Sequence, residues 1–294
     1  MSSNISIFNT PETQEHFLAA YKRLMKTWSL PYEDKWVETS FGRTHAIVSG
    51  PVNGEPLVLL PGAQATGAMW GPMIPDLVKN RRVFCLDLID QVGLSEPNKV
   101  LTNSHDSSTW LKETLDGLSL DKVDIGGNSL GCFIVSMFAV SYPDRVKNLI
   151  LTAPAATVSG IRLLYILKIL FASWSSNPSV KSRFLEQNSA GLVDNTSTLF
   201  QLLFAAMSGS KVISKITPRQ LTVDELRSIK SPVLIILGDK DMTAQKKADE
   251  VVNDLSELAL NFQCEIIEGA GHLWTEQQYM FAGNKISQFL EYSQ

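Results

Sequence analysis

Cysteine is scarce in this chain: Cys85, Cys132 and Cys264 lie far apart, each inside an apolar run. That spacing offers neither a disulfide framework nor a metal motif, and the thiols read as buried free cysteines of a reducing compartment. Basic clusters are missing too. With 26 Lys and Arg against 30 Asp and Glu the net charge is −4, which gives no electrostatic basis for nucleic acid or an anionic membrane as the main partner. The first sixteen residues lack a basic region followed by an apolar core, so no secretory signal is expected and the location reads as cytoplasmic. The longest apolar stretch, 161–174, is too short to cross a bilayer and carries Arg162 and Lys168, so no stable membrane insertion is expected. Internal repeats and low-complexity tracts are absent, and no motif decides between monomer and homodimer.

What remains is a globular composition, 44% apolar and 19% charged, in a 294-residue chain long enough for one large α/β domain or two small ones. Near the N-terminus, Thr10 as N-cap and Pro11 at the first helical position introduce a helix with Phe17, Leu18, Tyr21, Leu24, Met25 and Trp28 at helical spacing. Residues 35–40 and 43–50 read as two strands joined by a turn at Phe41-Gly42. Six short apolar runs follow, at 57–60, 81–88, 122–127, 146–154, 232–241 and 262–272. Runs apolar at every position suit strands buried on both faces, as in a parallel sheet. Helical patterns at 105–118, 130–141, 243–258 and 275–291 alternate with them, so the fold class is α/β with a mostly parallel sheet. The segment 157–222 breaks the rhythm: it is helix-like, with no strand signal. The organisation expected is an N-terminal helical extension (1–30), a core (31–156 and 223–294) and a helical insertion (157–222) over the carboxyl ends of the strands. Within that insertion, 161–174 is expected to be a buried cap helix, the alternative being an exposed amphipathic lid.

The stretch "DIGGNSLGC" (124–132) contains Gly127-Asn128-Ser129-Leu130-Gly131, a G-x-S-x-G pattern. Such a pattern arises by chance in roughly one chain in ten of this length. Here it sits between a strand and a helix, where a serine on a sharp turn needs small residues two before and two after it. The helix N-terminus beneath Ser129 favours a developing anion. A serine hydroxyl is a weak nucleophile and needs a base. Of four histidines, His16, His45 and His105 read as surface or packing residues, whereas His272 follows the last strand run, behind Gly269, Ala270 and Gly271. An orienting carboxylate is offered by Asp239 or Asp241, both just past the strand at 232–238. Either gives the chain order Ser, Asp, His of α/β-hydrolases. For an oxyanion, the backbone N–H of Leu130 is one expected donor and that of Ala63 the other; Pro61 has no N–H to offer.

From about residue 36 onward the chain resembles the α/β-hydrolase family. Its "FGRTHAIVSG", "LVLLPGAQATGAMW" and "DELRSIKSPVLIILGDKD", with the helix ending at Trp28, are similar to bacterial carboxylesterases of the naproxen-esterase group. The resemblance implies an eight-stranded sheet, a helical cap and ester hydrolysis without a cofactor or metal. It also implies Ser129 as nucleophile, His272 as base and Asp241 as the acid, in preference to Asp239. Two departures stand out. Pro61-Gly62 replaces the His-Gly usual in the family, and Gln91 replaces the first glycine of a Gly-x-Gly-x-Ser turn of which Gly93 and Ser95 remain. Asp87 and Asp90 in that turn read as structural. The function expected is cleavage of a small-molecule ester with a hydrophobic acyl group through an acyl-enzyme. The alternatives are the same triad in a C–C bond hydrolase, lactonase, amidase, acyltransferase or perhydrolase, or a non-catalytic binding protein.

Overall fold

The computed structural model describes residues 5–258 and 261–292. Helix α1 (Pro11–Met25) begins as expected: the Thr10 hydroxyl accepts from the Thr13 N–H, 3.3 Å away, and the Thr10 N–H donates in turn to the Thr13 hydroxyl oxygen. It is followed by the hairpin β1 (Tyr32–Thr39) and β2 (Gly42–Ser49). The turn lies at Ser40-Phe41, one residue earlier than the sequence pattern indicates, because Gly42 already pairs with Thr39. Then come β3 (Glu55–Leu60), a 3-10 turn with the short α2 (Ile74–Leu77), and β4 (Arg81–Leu86). A two-residue strand, β5 (Glu96–Pro97), pairs with β2 and precedes α3 (Ser104–Gly117). Next are β6 (Val123–Asn128), α4 (Leu130–Ser141) and β7 (Val146–Thr152).

The segment from β7 to β8 contains α5 (Ala155–Ser159), α6 (Leu163–Trp174), α7 (Pro178–Asn188), α8 (Thr198–Gly209) and α9 (Val223–Ser228). The chain closes with β8 (Val233–Gly238), α10 (Ala248–Glu257), β9 (Phe262–Ile267) and α11 (Glu276–Tyr292). Helix α10 starts later than its periodicity implied, because residues 239–247 form the loop that carries Asp241.

The main sheet runs β1-β2-β4-β3-β6-β7-β8-β9, with β5 attached to β2. Pairs involving β2 are antiparallel and all others parallel. The all-apolar runs divide by alternation. Val58 and Leu60 face one layer with Trp110 of α3 and Phe133 and Phe138 of α4. Leu57 and Leu59 face the other, with Phe17 of α1, Trp70 and Ile286 of α11. Both faces of the central strands are therefore covered, which is why these strands read as unbroken apolar runs.

One expectation fails. Helix α6 is not buried: Ala172 is its one buried residue. Its residues are apolar on nearly all sides, so its sequence carries no polar face to mark the solvent side. Ala172 faces the rest of the chain, and Tyr165, Ile169 and Ser173 line the cavity.

Candidate active site

Ser129 sits at the junction of β6 and α4 with φ 49° and ψ −110°, a conformation L-residues seldom adopt. Its N–H donates to the Thr152 carbonyl of β7 (3.1 Å), which holds the turn from below. The flanking glycines are required by space. A Cβ on Gly127 would stand 2.3 Å from the Gly131 carbonyl carbon, and one on Gly131 would stand 2.5 Å from the Leu60 carbonyl oxygen. The turn can close only where both side chains are absent, which is the steric content of the motif.

His272 lies in the loop between β9 and α11. Gly271 lets that loop press on the end of α7, where a Cβ would stand 2.2 Å from the Asn188 carbonyl oxygen. The Leu273 N–H donates to the same carbonyl (2.9 Å). This placement brings His272 Nε2 to 2.9 Å from Ser129 Oγ and His272 Nδ1 to 2.8 Å from Asp241 Oδ2. Asp239, the alternative carboxylate, instead pairs with Lys240 at 3.3 Å. His16 and His105 lie exposed on helices. His45 is buried between Asp87 and Asp34, 2.9 Å from each.

The electrostatics of the pair are reciprocal. Burial disfavours charge on His272, but the Asp241 carboxylate facing it outweighs that effect and raises the imidazole above its ordinary value. Burial also opposes charge on Asp241, yet His272 and the hydroxyl and amide of Thr243 lower its carboxyl. With Asp241 accepting from Nδ1–H, the Nε2 lone pair is left to accept from the Ser129 hydroxyl.

Thr243 was not singled out in the sequence. Its hydroxyl donates to Asp241 Oδ1 (2.5 Å) and stands 3.2 Å from His272 Nδ1, while its N–H donates to the same Oδ1 (2.8 Å). The Asp-Met-Thr spacing is that of an Asx turn, and this was the available signal.

Ala63 and Leu130 both line the cavity beside Ser129. Leu130 opens α4, where helix geometry leaves its N–H without an intrahelical partner. Among the described residues neither amide has a hydrogen-bond acceptor. The loop carrying Ala63 is a tight turn in which the Ala65 N–H donates to the Gly62 carbonyl (3.2 Å). Its third residue, Gln64, has φ 60°, a value usually left to glycine or asparagine. Two bonds hold it there. The Gln64 N–H donates to Gln91 Oε1 (3.2 Å), and the Ser210 hydroxyl donates to Gln64 Oε1 (2.8 Å). The unusual Gln91 thus braces the loop that begins at the unusual Pro61. Asp87 steadies the same region, accepting from the Gly67 and Leu94 N–H groups at 2.8 Å each, and Asp90 accepts from the Leu101 N–H (3.1 Å).

The cavity over Ser129 holds about 360 Å3. Its walls include Tyr165, Ile169, Phe184, Leu199 and Leu203, all from the helices between β7 and β8. A larger, more open hollow of about 600 Å3 lies between α1, α7 and α8 and contains none of Ser129, Asp241 or His272.

Comparison with known proteins agrees with this geometry. The chain is 28% identical to carboxylesterase YbfK of Bacillus subtilis over 96% of both proteins. It is 27% identical to the carboxylesterase nap of the same organism, over 93% of this chain and 91% of the relative. The crystal structure of Bacillus subtilis carboxylesterase CesB (YbfK) superposes with a TM-score of 0.86 at 25% identity, covering 95% of this chain and 98% of that one. A family model described as the alpha/beta hydrolase fold matches residues 55–276, well over half of the sequence, and the chain belongs to that family.

Proposed function

We propose that this protein is a serine carboxylesterase acting on esters with a hydrophobic acyl group. The observation that carries the reading is the hydrogen-bonded line Ser129–His272–Asp241 at the floor of an apolar cavity. Ser129 Oγ attacks the ester carbonyl while His272 Nε2 takes its proton. Asp241 and Thr243 hold the imidazole in the required tautomer and stabilise its positive charge. The oxyanion is met by the N–H groups of Ala63 and Leu130, both free to donate. Collapse breaks the ester C–O bond, the alcohol leaves with the proton from His272, and the acyl group stays on Ser129. Water, activated by His272, then attacks the acyl carbonyl, and the acid departs as Ser129 regains its proton.

Helices α5 to α8 serve as the cap over this site and define the acyl pocket through Tyr165, Ile169, Phe184 and Leu203. The free thiols, Cys85 and Cys132 buried and Cys264 partly so, fit a reducing cytoplasm. The similarity to carboxylesterases favours esters over the other bonds such a triad can cleave. A fluorophosphonate probe tests the nucleophile: wild type is labelled and Ser129→Ala is not, and equal labelling of both refutes the assignment. A panel of p-nitrophenyl esters, lactones and β-diketones tests the bond type; turnover of β-diketones with none of esters overturns it.

A further inference from the structure

Helix α6 carries an apolar surface larger than the cavity requires. Its inner strip, Tyr165, Ile169 and Ser173, walls the cavity. Its other sides meet solvent, with Leu164 72%, Phe171 66% and Trp174 82% exposed and Leu163 and Leu167 beside them. Contiguous apolar surface of this kind on a polar protein marks a place of contact.

The charge around it identifies the contact. Between residues 155 and 185 there is no Asp or Glu, while Arg162, Lys168, Lys181 and Arg183 are present, in a chain whose net charge is −4. Arg162, Lys168 and Arg183 are exposed. An exposed tryptophan, large aliphatic side chains and interspersed cations are the composition of a helix that lies in the plane of an anionic lipid surface. A second copy of the chain fits less well. A two-fold contact through α6 sets this basic surface against itself, with no carboxylate between 155 and 185 to pair with Lys168.

We propose that the outer face of α6 docks on an anionic lipid–water interface. The cavity then lies one helix thickness, about 10 Å, from the apolar phase. That substrate arrives from this phase rests on the esterase reading; the docking does not.

Co-sedimentation with phosphatidylglycerol–phosphatidylcholine vesicles tests it, with tryptophan emission as a second readout. Wild type binds, more weakly as salt rises, and its emission shifts to the blue. The triple variant Leu164→Ser/Phe171→Ser/Trp174→Ser binds at least about tenfold more weakly yet turns over a short soluble ester like wild type, because none of the three lines the cavity. Lys168→Glu, a milder change, also weakens binding. Ser129→Ala binds as wild type does. Failure of wild type to bind, or equal binding by the triple variant and Lys168→Glu, overturns the proposal. So does a wild-type dimer in sedimentation velocity that the triple variant dissolves. Ser129→Ala retaining ester turnover refutes the esterase reading alone and leaves the vesicle result standing.

Discussion

Replacing Gln91 by alanine tests whether the loop proposed to present the Ala63 N–H to the oxyanion depends on its brace. The substitution leaves the Gln64 N–H without its acceptor at 3.2 Å, while Gln64 must still hold φ 60°. The lost bond is worth about 0.5–1.5 kcal/mol net. The strained conformation it secures costs about 1–3 kcal/mol, part of which the Ser210 contact to Gln64 Oε1 continues to offset. A bias of about 1–2 kcal/mol toward a relaxed loop that no longer presents the Ala63 N–H lowers the rate roughly 5- to 30-fold. This lies below the roughly 100- to 1000-fold loss for a donor removed outright. Because the donor acts on charge that develops after binding, the loss falls on kcat and leaves KM nearly unchanged. The assay is steady-state turnover of a p-nitrophenyl ester, normalised to active sites titrated with a fluorophosphonate. Gln64→Gly supplies a second axis: glycine accepts φ 60° without strain, so Gln91→Ala costs less in that background. A Gln91→Ala enzyme that loses thermal stability but keeps kcat per active site refutes the bracing role.

Three further outcomes are expected. On the proposed mechanism His272 acts as a base and must be neutral, and Asp241 raises its pKa, so kcat/KM climbs with pH through an apparent pKa above the ordinary 6.5 and is lost as pH falls through it. Asp241→Asn removes the raising influence and leaves burial, which acts the other way; the apparent pKa falls and kcat drops on the order of 10^4-fold, as a pH–rate series shows. Asp124→Ala strands the buried Arg81 guanidinium at the start of β4 and destabilises the fold by about 3–5 kcal/mol in urea titration; the pair lies at the opposite strand ends from Ser129, about 16 Å along β6, so turnover per folded molecule is retained.

The legible parts of this molecule are those set by repetition or by crowding. Val58 and Leu60 alternate with Leu57 and Leu59 between two apolar layers, and such runs announce a doubly covered strand without knowledge of what covers it. Gly127 and Gly131 are legible because no other residue fits where the Gly131 and Leu60 carbonyls stand. Asp241 was separable from Asp239 only through family resemblance, since both follow β8 within a few residues and the selection depends on how the loop curls around Thr243. The exposure of α6 was illegible for a different reason. A helix apolar on nearly all sides reads as core by default, and its solvent side is defined by what the rest of the chain leaves uncovered.

Pro61 and Gln91, met as separate departures, turn out to bear on one loop. A histidine at position 61 could bond within that loop; a proline there gives up both a side-chain donor and its own N–H. What proline retains is a fixed φ at the point where β3 ends and the turn begins, with Gly62 held against Ser129 and Asn128 so closely that a Cβ would stand 2.9 Å from Asn128 Oδ1. The hydrogen bonds that a histidine would supply from inside come instead from outside. Gln91 reaches over from the turn after β4, and Ser210 from the segment after α8. The second contact joins the turn carrying Ala63 to the segment that follows α8. On the proposed mechanism, this contact links the wall of the acyl pocket to the loop that presents the Ala63 N–H. Substitutions of Ser210 should consequently alter kcat in step with substrate acyl length, an outcome that a loop stabilised only from within would not produce.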